Sequence, residues 1–166
     1  MINPLHKKPQ LYTINANELA LSNPALVELM QAVLEKGLSF RFRAKGWSMA
    51  PFIRDGDIVT VSPPKSESLR VGDVYAFVHP EMRKMVMHRA VAKFEKGLLF
   101  QGDNSLGKKD GVIPFELLLG RVIQIERNNH RVYLGLGLER YLIAWLSRLG
   151  FLTPIYLVSI ASKRFF

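Results

Sequence analysis

Ser48 lies between a glycine and a proline in the run Gly46-Trp47-Ser48-Met49-Ala50-Pro51, just ahead of Asp55-Gly56-Asp57 and the apolar Ile58, Val59 and Val61. A serine hydroxyl becomes a useful nucleophile when it is exposed on a constrained turn within reach of a base. Gly46 and Pro51 supply such a turn, and the residues after Gly56 read as the start of a strand. Two later segments carry the partners this chemistry needs. His88 is followed by Arg89 inside the apolar run Met85-Val86-Met87-His88-Arg89-Ala90-Val91. Asp103 and Asp110 lie in Gly102-Asp103-Asn104-Ser105-Leu106-Gly107-Lys108-Lys109-Asp110. Serine, histidine and acid are the parts of nucleophilic acyl transfer, in which the histidine takes the hydroxyl proton and the acid orients the ring.

Together these boxes resemble the signal peptidase I family and its wider superfamily, which includes the self-cleaving LexA-type repressors. The resemblance covers residues 38–126 and also draws on Gly120-Arg121-Val122. It implies a small β-rich catalytic domain with Ser48 as nucleophile and His88 as base. Most bacterial signal peptidases place a lysine where this chain has His88, whereas the archaeal and endoplasmic-reticulum type places a histidine. Asp110 matches the second acidic position of the family's box and is expected to orient His88, with Asp103 holding its loop. The residues themselves leave both aspartates open for that part.

Two departures narrow the resemblance. The usual box reads Ser-Gly-Ser-Met, while Gly46-Trp47-Ser48-Met49 is closer to the repressor spelling and lacks a hydroxyl that helps bind the oxyanion in the lysine enzymes. Residues 1–21 also lack the apolar run of a signal peptide or membrane anchor and read as an irregular arm.

Around the nucleophile, Trp47, Met49 and Pro51 are the candidate substrate contacts, and Met49 also reads as packing behind Ser48. His79 precedes Pro80 in a loop, where it is free to be exposed without a role. Gly72-Asp73 reads as a turn ahead of a strand. The four histidines, at 6, 79, 88 and 130, have no metal-ligand spacing. Gly135 and Gly137 do not form a dinucleotide fingerprint. Neither a metal nor another cofactor is expected.

Of the 166 residues 48% are apolar, enough for a folded core, and there is no cysteine, which excludes thiol catalysis and disulfides. Lys and Arg number 23 against 14 acids, a formal charge of +9. That balance points to an anionic partner. The charges are scattered and no DNA-binding motif accompanies them, so an anionic membrane surface is expected rather than nucleic acid.

The elements that must position these residues follow from periodicity. Pro24 at a first helical position and apolar Leu26, Leu29, Met30, Val33 and Leu34 predict a helix over residues 22–36, with Asn23 as its cap and Gly37 ending it. From Leu38 the period changes to two, with Leu38, Phe40 and Phe42 alternating with Ser39, Arg41 and Arg43. Further strands are expected at 57–61, 73–79, 85–94, 97–101, 119–127 and 131–134, with loops at Pro63-Pro64 and at 111–114. The expected fold is mainly β, a small coiled sheet or barrel. The expected organisation is an arm and helix over 1–37, a catalytic domain over 38–135 and an apolar, basic helical extension over 136–166. In that extension, Arg148 near the middle of the best apolar window opposes a membrane span, since an arginine at mid-bilayer costs roughly 2.5–3.5 kcal/mol. Two short helices, over 138–149 and 151–162, are expected instead. They lie at a membrane interface, form a shallow re-entrant hairpin, or pack on the barrel.

The reading that joins these observations is a serine endopeptidase that cleaves a leader or exported precursor peptide at or near a membrane. A self-cleaving relative and a catalytically silent peptide-binding scaffold are the alternatives. Residues 1–45 contain no Ala-Gly or Cys-Gly site for self-cleavage, and every polar catalytic position is filled.

Overall fold

The computed structural model describes residues 23–64 and 69–151. The expected arm over 1–21 and the expected second C-terminal helix over 151–162 fall almost wholly outside the described residues. Helix α1 (Asn23–Glu35) buries Met30 and Leu34, with Leu26, Leu29 and Val33 at the edge of the same cluster. Its end is a Schellman turn. Gly37 adopts φ 74° and donates to Leu34 O at 2.9 Å, while Leu38 N reaches Val33 O at 3.3 Å.

The strands are β1 (Phe40–Arg43), β2 (Ile58–Ser62), β3 (Val74–Val78), β4 (Met85–Phe94), β5 (Gly97–Gln101), β6 (Lys109–Pro114), β7 (Leu118–Arg127) and β8 (His130–Val132). They form one antiparallel sheet in the order β1-β2-β7-β3-β4-β5-β6, with β8 added to β7. The mainly β fold expected from the sequence is thus an eight-stranded sheet with a helix at either end of the described chain.

Period-two side-chain alternation divides the core between the two faces of this sheet. In β3, Val74 and Ala76 enter a cluster with α1, Phe40, Phe42, Met49, Val59 and Val61. Tyr75 and Phe77 point the other way, into a cluster with Ala90, Leu98, Phe100 and Ile113. The central strand is therefore buried on both faces, which explains its unbroken apolar run. Phe77 stacks on Phe100 with ring centroids 4.4 Å apart.

Three expectations are corrected. Residues 111–114, expected as a loop, belong to edge strand β6, in which Ile113 is buried and Val112 is exposed. Gly111 and Pro114 look like loop residues, but a sheet edge tolerates both. The last strand is the short β8 rather than 131–134. His79 is buried rather than exposed, and its Nδ1 accepts from the backbone N–H groups of Glu81 and Met82 at 3.3 Å each, closing the β3–β4 turn.

The C-terminal part of the described chain packs on this sheet. Helix α2 (Arg140–Arg148) buries Ile143, Ala144 and Ser147. Gln101 Nε2 donates to Ser147 O at 2.5 Å, and Arg140 Nε lies 3.0 Å from Asp73 Oδ1. Ahead of the helix, Glu139 Oε1 accepts from Gly135 N at 2.7 Å and Gly137 N at 2.9 Å. Burial alone would push the Glu139 carboxyl up. Its own backbone N–H, those of Gly135 and Gly137, and the charge of Arg89 outweigh it and hold the group below its ordinary value of 4.5. A carboxylate depressed in the folded state contributes stability above its unfolded pKa and loses it as pH falls through the folded value. Acidification below about 4.5 is therefore expected to loosen the 135–139 clasp. Protection of the Gly135 and Gly137 amides against hydrogen exchange, measured relative to their intrinsic rates at each pH, should report this, and Glu139→Gln should make that protection insensitive to pH over the same range.

Candidate active site

The turn over residues 44–57, which carries Ser48, is held from several sides. Gly46 N donates to Asp55 Oδ1 at 2.8 Å, and Ala44 N donates to Asp57 O at 2.7 Å. Arg127, from the end of β7, grips Asp57 through Nε at 2.9 Å and Nη2 at 2.7 Å, and also reaches Phe52 O at 3.1 Å. Within this frame Met49 is buried behind Ser48, and the Ala50–Pro51 peptide is cis. Ser48 itself is exposed.

His88 projects from β4 toward that turn, and its Nε2 lies 3.0 Å from Ser48 Oγ. Its Nδ1 lies 2.7 Å from Asp110 Oδ2. An ionised carboxylate only accepts hydrogen bonds, so the proton is assigned to Nδ1, leaving the Nε2 lone pair facing the Ser48 hydroxyl. His88 and Asp110 are mostly shielded, with side-chain exposures of 12% and 14%. Shielding strengthens their mutual attraction, while Ser48 stays open to solvent. The ring of Phe77 lies edge-on to the imidazole at 6.3 Å and limits its swing.

Asp110 reaches the histidine because β6 is bulged there. Phe100 pairs with Gly111 and Gln101 with Lys109, so Asp110 is the extra residue of the ladder. A bulge re-aims a side chain in this way.

Asp103 does not meet His88. It is fully buried and bound side-on by Arg89, Nε to Oδ1 at 2.9 Å and Nη2 to Oδ2 at 2.7 Å. The second open candidate for the histidine's partner is thus committed elsewhere. Arg89 Nη1 donates to Gly72 O and Gly135 O, both at 2.8 Å. One buried guanidinium therefore joins the residue after His88, the Gly-Asp-Asn turn and the start of the C-terminal extension.

A cavity of about 240 Å³ opens beside Ser48 and His88, lined among others by Ala44, Gly46, Met49, Ile53, Met82 and Met87. Of the three candidate substrate contacts only Met49 lines it. Trp47 is 60% exposed and lies outside its lining, as does Pro51.

Sequence reasoning missed two contributors. Asn104 ties the Ser48 turn to the acidic loop, through its N–H to Ser48 O at 2.8 Å and its Nδ2 to Trp47 O at 3.3 Å. Gly102 lets these parts meet. A Cβ there would lie 2.7 Å from Ser48 O and 3.1 Å from His88 Nε2, so a side chain would push Ser48 and His88 apart. Their membership in the Gly-Asp-Asn box was the available signal.

A β-sheet that brings serine, histidine and aspartate together from a turn, a central strand and a bulged edge is of the type expected for the superfamily that the sequence boxes resemble. The family model described as Peptidase S24-like matches residues 12–123, more than half of the chain, and the chain belongs to that family. No curated protein gives a significant match.

Proposed function

We propose that the protein is a serine endopeptidase that cleaves an extended leader or exported precursor peptide at or near a membrane. The reading rests above all on the continuous line Asp110 Oδ2, His88 Nδ1, His88 Nε2, Ser48 Oγ, whose Ser48–His88 end lines the cavity. Ser48 Oγ attacks the scissile carbonyl while His88 Nε2 takes its proton. The resulting imidazolium stays paired with Asp110 and passes the proton to the leaving amine. Water, deprotonated by the same nitrogen, then hydrolyses the acyl-serine and frees Ser48. Backbone N–H groups around Ser48 stabilise the oxyanion, since Gly46 stands where a hydroxyl would otherwise assist.

The cavity suits an extended substrate. Val86, Met87 and His88 pair with β3 on one side, whereas β5 begins its pairing on the other side only at Arg89. A peptide strand entering between Val86–His88 and Ala44–Gly46 would extend the sheet. Four of the six methionines in the chain, Met49, Met82, Met85 and Met87, line this space and offer an adaptable apolar wall for its side chains.

The discriminating experiment substitutes Asp110 and follows turnover of the precursor that accumulates when the protein is absent. Asp110→Asn leaves a neutral partner that favours the wrong histidine tautomer, and should lower kcat roughly 10³–10⁴-fold with little change in melting temperature. Turnover near that of the parent chain would remove Asp110 from the mechanism.

A further inference from the structure

Helix α2 carries apolar side chains on its solvent side as well as on the side that meets the sheet. Ile143, Ala144 and Ser147 face the sheet. The opposite side carries Tyr141, Leu142, Trp145 and Leu149, each 46–58% exposed, and Leu138 just ahead of the helix is 82% exposed. Spacings of three and four residues place these side chains on one stripe. Such a contiguous apolar face marks a contact surface.

Charge selects among the possible occupants. From residue 128 to the end of the chain Glu139 is the only acid, against Arg131, Arg140, Arg148, Lys163 and Arg164. Glu139 is directed at the Gly135 and Gly137 amides, and Arg140 is paired with Asp73. Arg131 and Arg148 are exposed, as are Lys108 and Lys109 on the neighbouring loop. That loop approaches the end of the helix, since a Cβ at Gly107 would lie 4.0 Å from Gly150 Cα. Tyrosine and tryptophan on an apolar stripe with cations beside it match a bilayer interface, where the rings sit at headgroup level and the cations meet lipid phosphates. Among the described residues no helix is long and apolar enough to cross a membrane.

We propose that the outer face of α2 docks on an anionic lipid surface and lies in its plane. The inner face of the same helix holds Gln101 through Ser147 O, and the segment before it holds Arg89 through Gly135 O. Docking α2 therefore fixes the orientation of the strands that carry Gln101 and Arg89, the residue after His88. This inference rests on the membrane side of the reading above.

Vesicle sedimentation of the full chain tests it without reading turnover, so its failure and that of the peptidase mechanism are distinguishable. The chain should sediment with vesicles of equal parts phosphatidylglycerol and phosphatidylcholine, and far less with phosphatidylcholine alone. Salt should weaken the binding without abolishing it, because the apolar contribution is not screened. Leu142→Glu and Trp145→Glu, both at exposed positions, should each lower the affinity by roughly tenfold or more while leaving the unfolding midpoint unchanged. In a Trp47→Phe background Trp145 is the only tryptophan, and its emission should shift to the blue on vesicles. Parent-like binding by both glutamate variants would overturn the proposal. So would failure of the parent to bind, or loss of binding only on Lys163→Glu and Arg164→Glu. A chain that self-associates through this face and ignores vesicles would assign the surface to a second copy instead.

Discussion

Ser48→Ala and His88→Ala are each expected to abolish cleavage of the precursor, and the double variant should be no worse than either alone. The two groups act as one unit: without Ser48 Oγ there is no acyl-enzyme, and without His88 Nε2 the hydroxyl at 3.0 Å keeps its proton. Losses of several orders of magnitude should come with little change in stability, because Ser48 is exposed and neither group supports the apolar clusters. Turnover assays on purified variants, with urea unfolding as control, measure both quantities. A His88→Ala variant with substantial activity would mean that another base serves Ser48.

The second large effect falls on stability. Arg89 and Asp103 are both fully buried and joined through two hydrogen bonds, so Asp103→Ala leaves an uncompensated cation in the core. Breaking one side of such a pair costs roughly 3–5 kcal/mol. That is a large share of the roughly 5–15 kcal/mol by which domains are stable. Arg89→Ala should be at least as damaging, since it also strips the donors from Gly72 O and Gly135 O. Urea titrations should show lower midpoints at similar slope, and the two losses should be far from additive. Activity should fall only with the folded fraction in Asp103→Ala. A folded, stable Asp103→Ala chain with no turnover would return the catalytic part to Asp103.

Much of this arrangement was legible from residue patterns. Alternation marked Phe40 and Phe42 as inward residues, and the Pro24 and Gly37 signals bracketed α1 to within a residue or two. Ser48 and His88 stood out because both sit in unusual local surroundings. The choice between Asp103 and Asp110 was not legible from the residues themselves, and only the family resemblance favoured Asp110. It depends on the bulge opposite Gln101 and on the capture of Asp103 by Arg89, both of which arise from long-range pairing. Strand β6 was hidden because Gly111 and Pro114 are turn residues in isolation, and only the pairing with β5 makes them strand. The buried state of His79 was also unreadable, since it depends on two backbone N–H groups folding back onto its ring. Helix α2 is apolar on both sides, so periodicity could not say which face meets the sheet. Burial of Ile143 and Ala144 answers that.

The most direct measurement is covalent labelling of the full chain with a serine-directed acylating probe, with the modified residue located by mass spectrometry. Ser48 should carry the label, Ser48→Ala should take none, and His88→Ala should react at least roughly 100-fold more slowly, the scale of general-base assistance. Label on any other residue, or an unchanged rate in His88→Ala, would contradict a Ser48–His88 nucleophile.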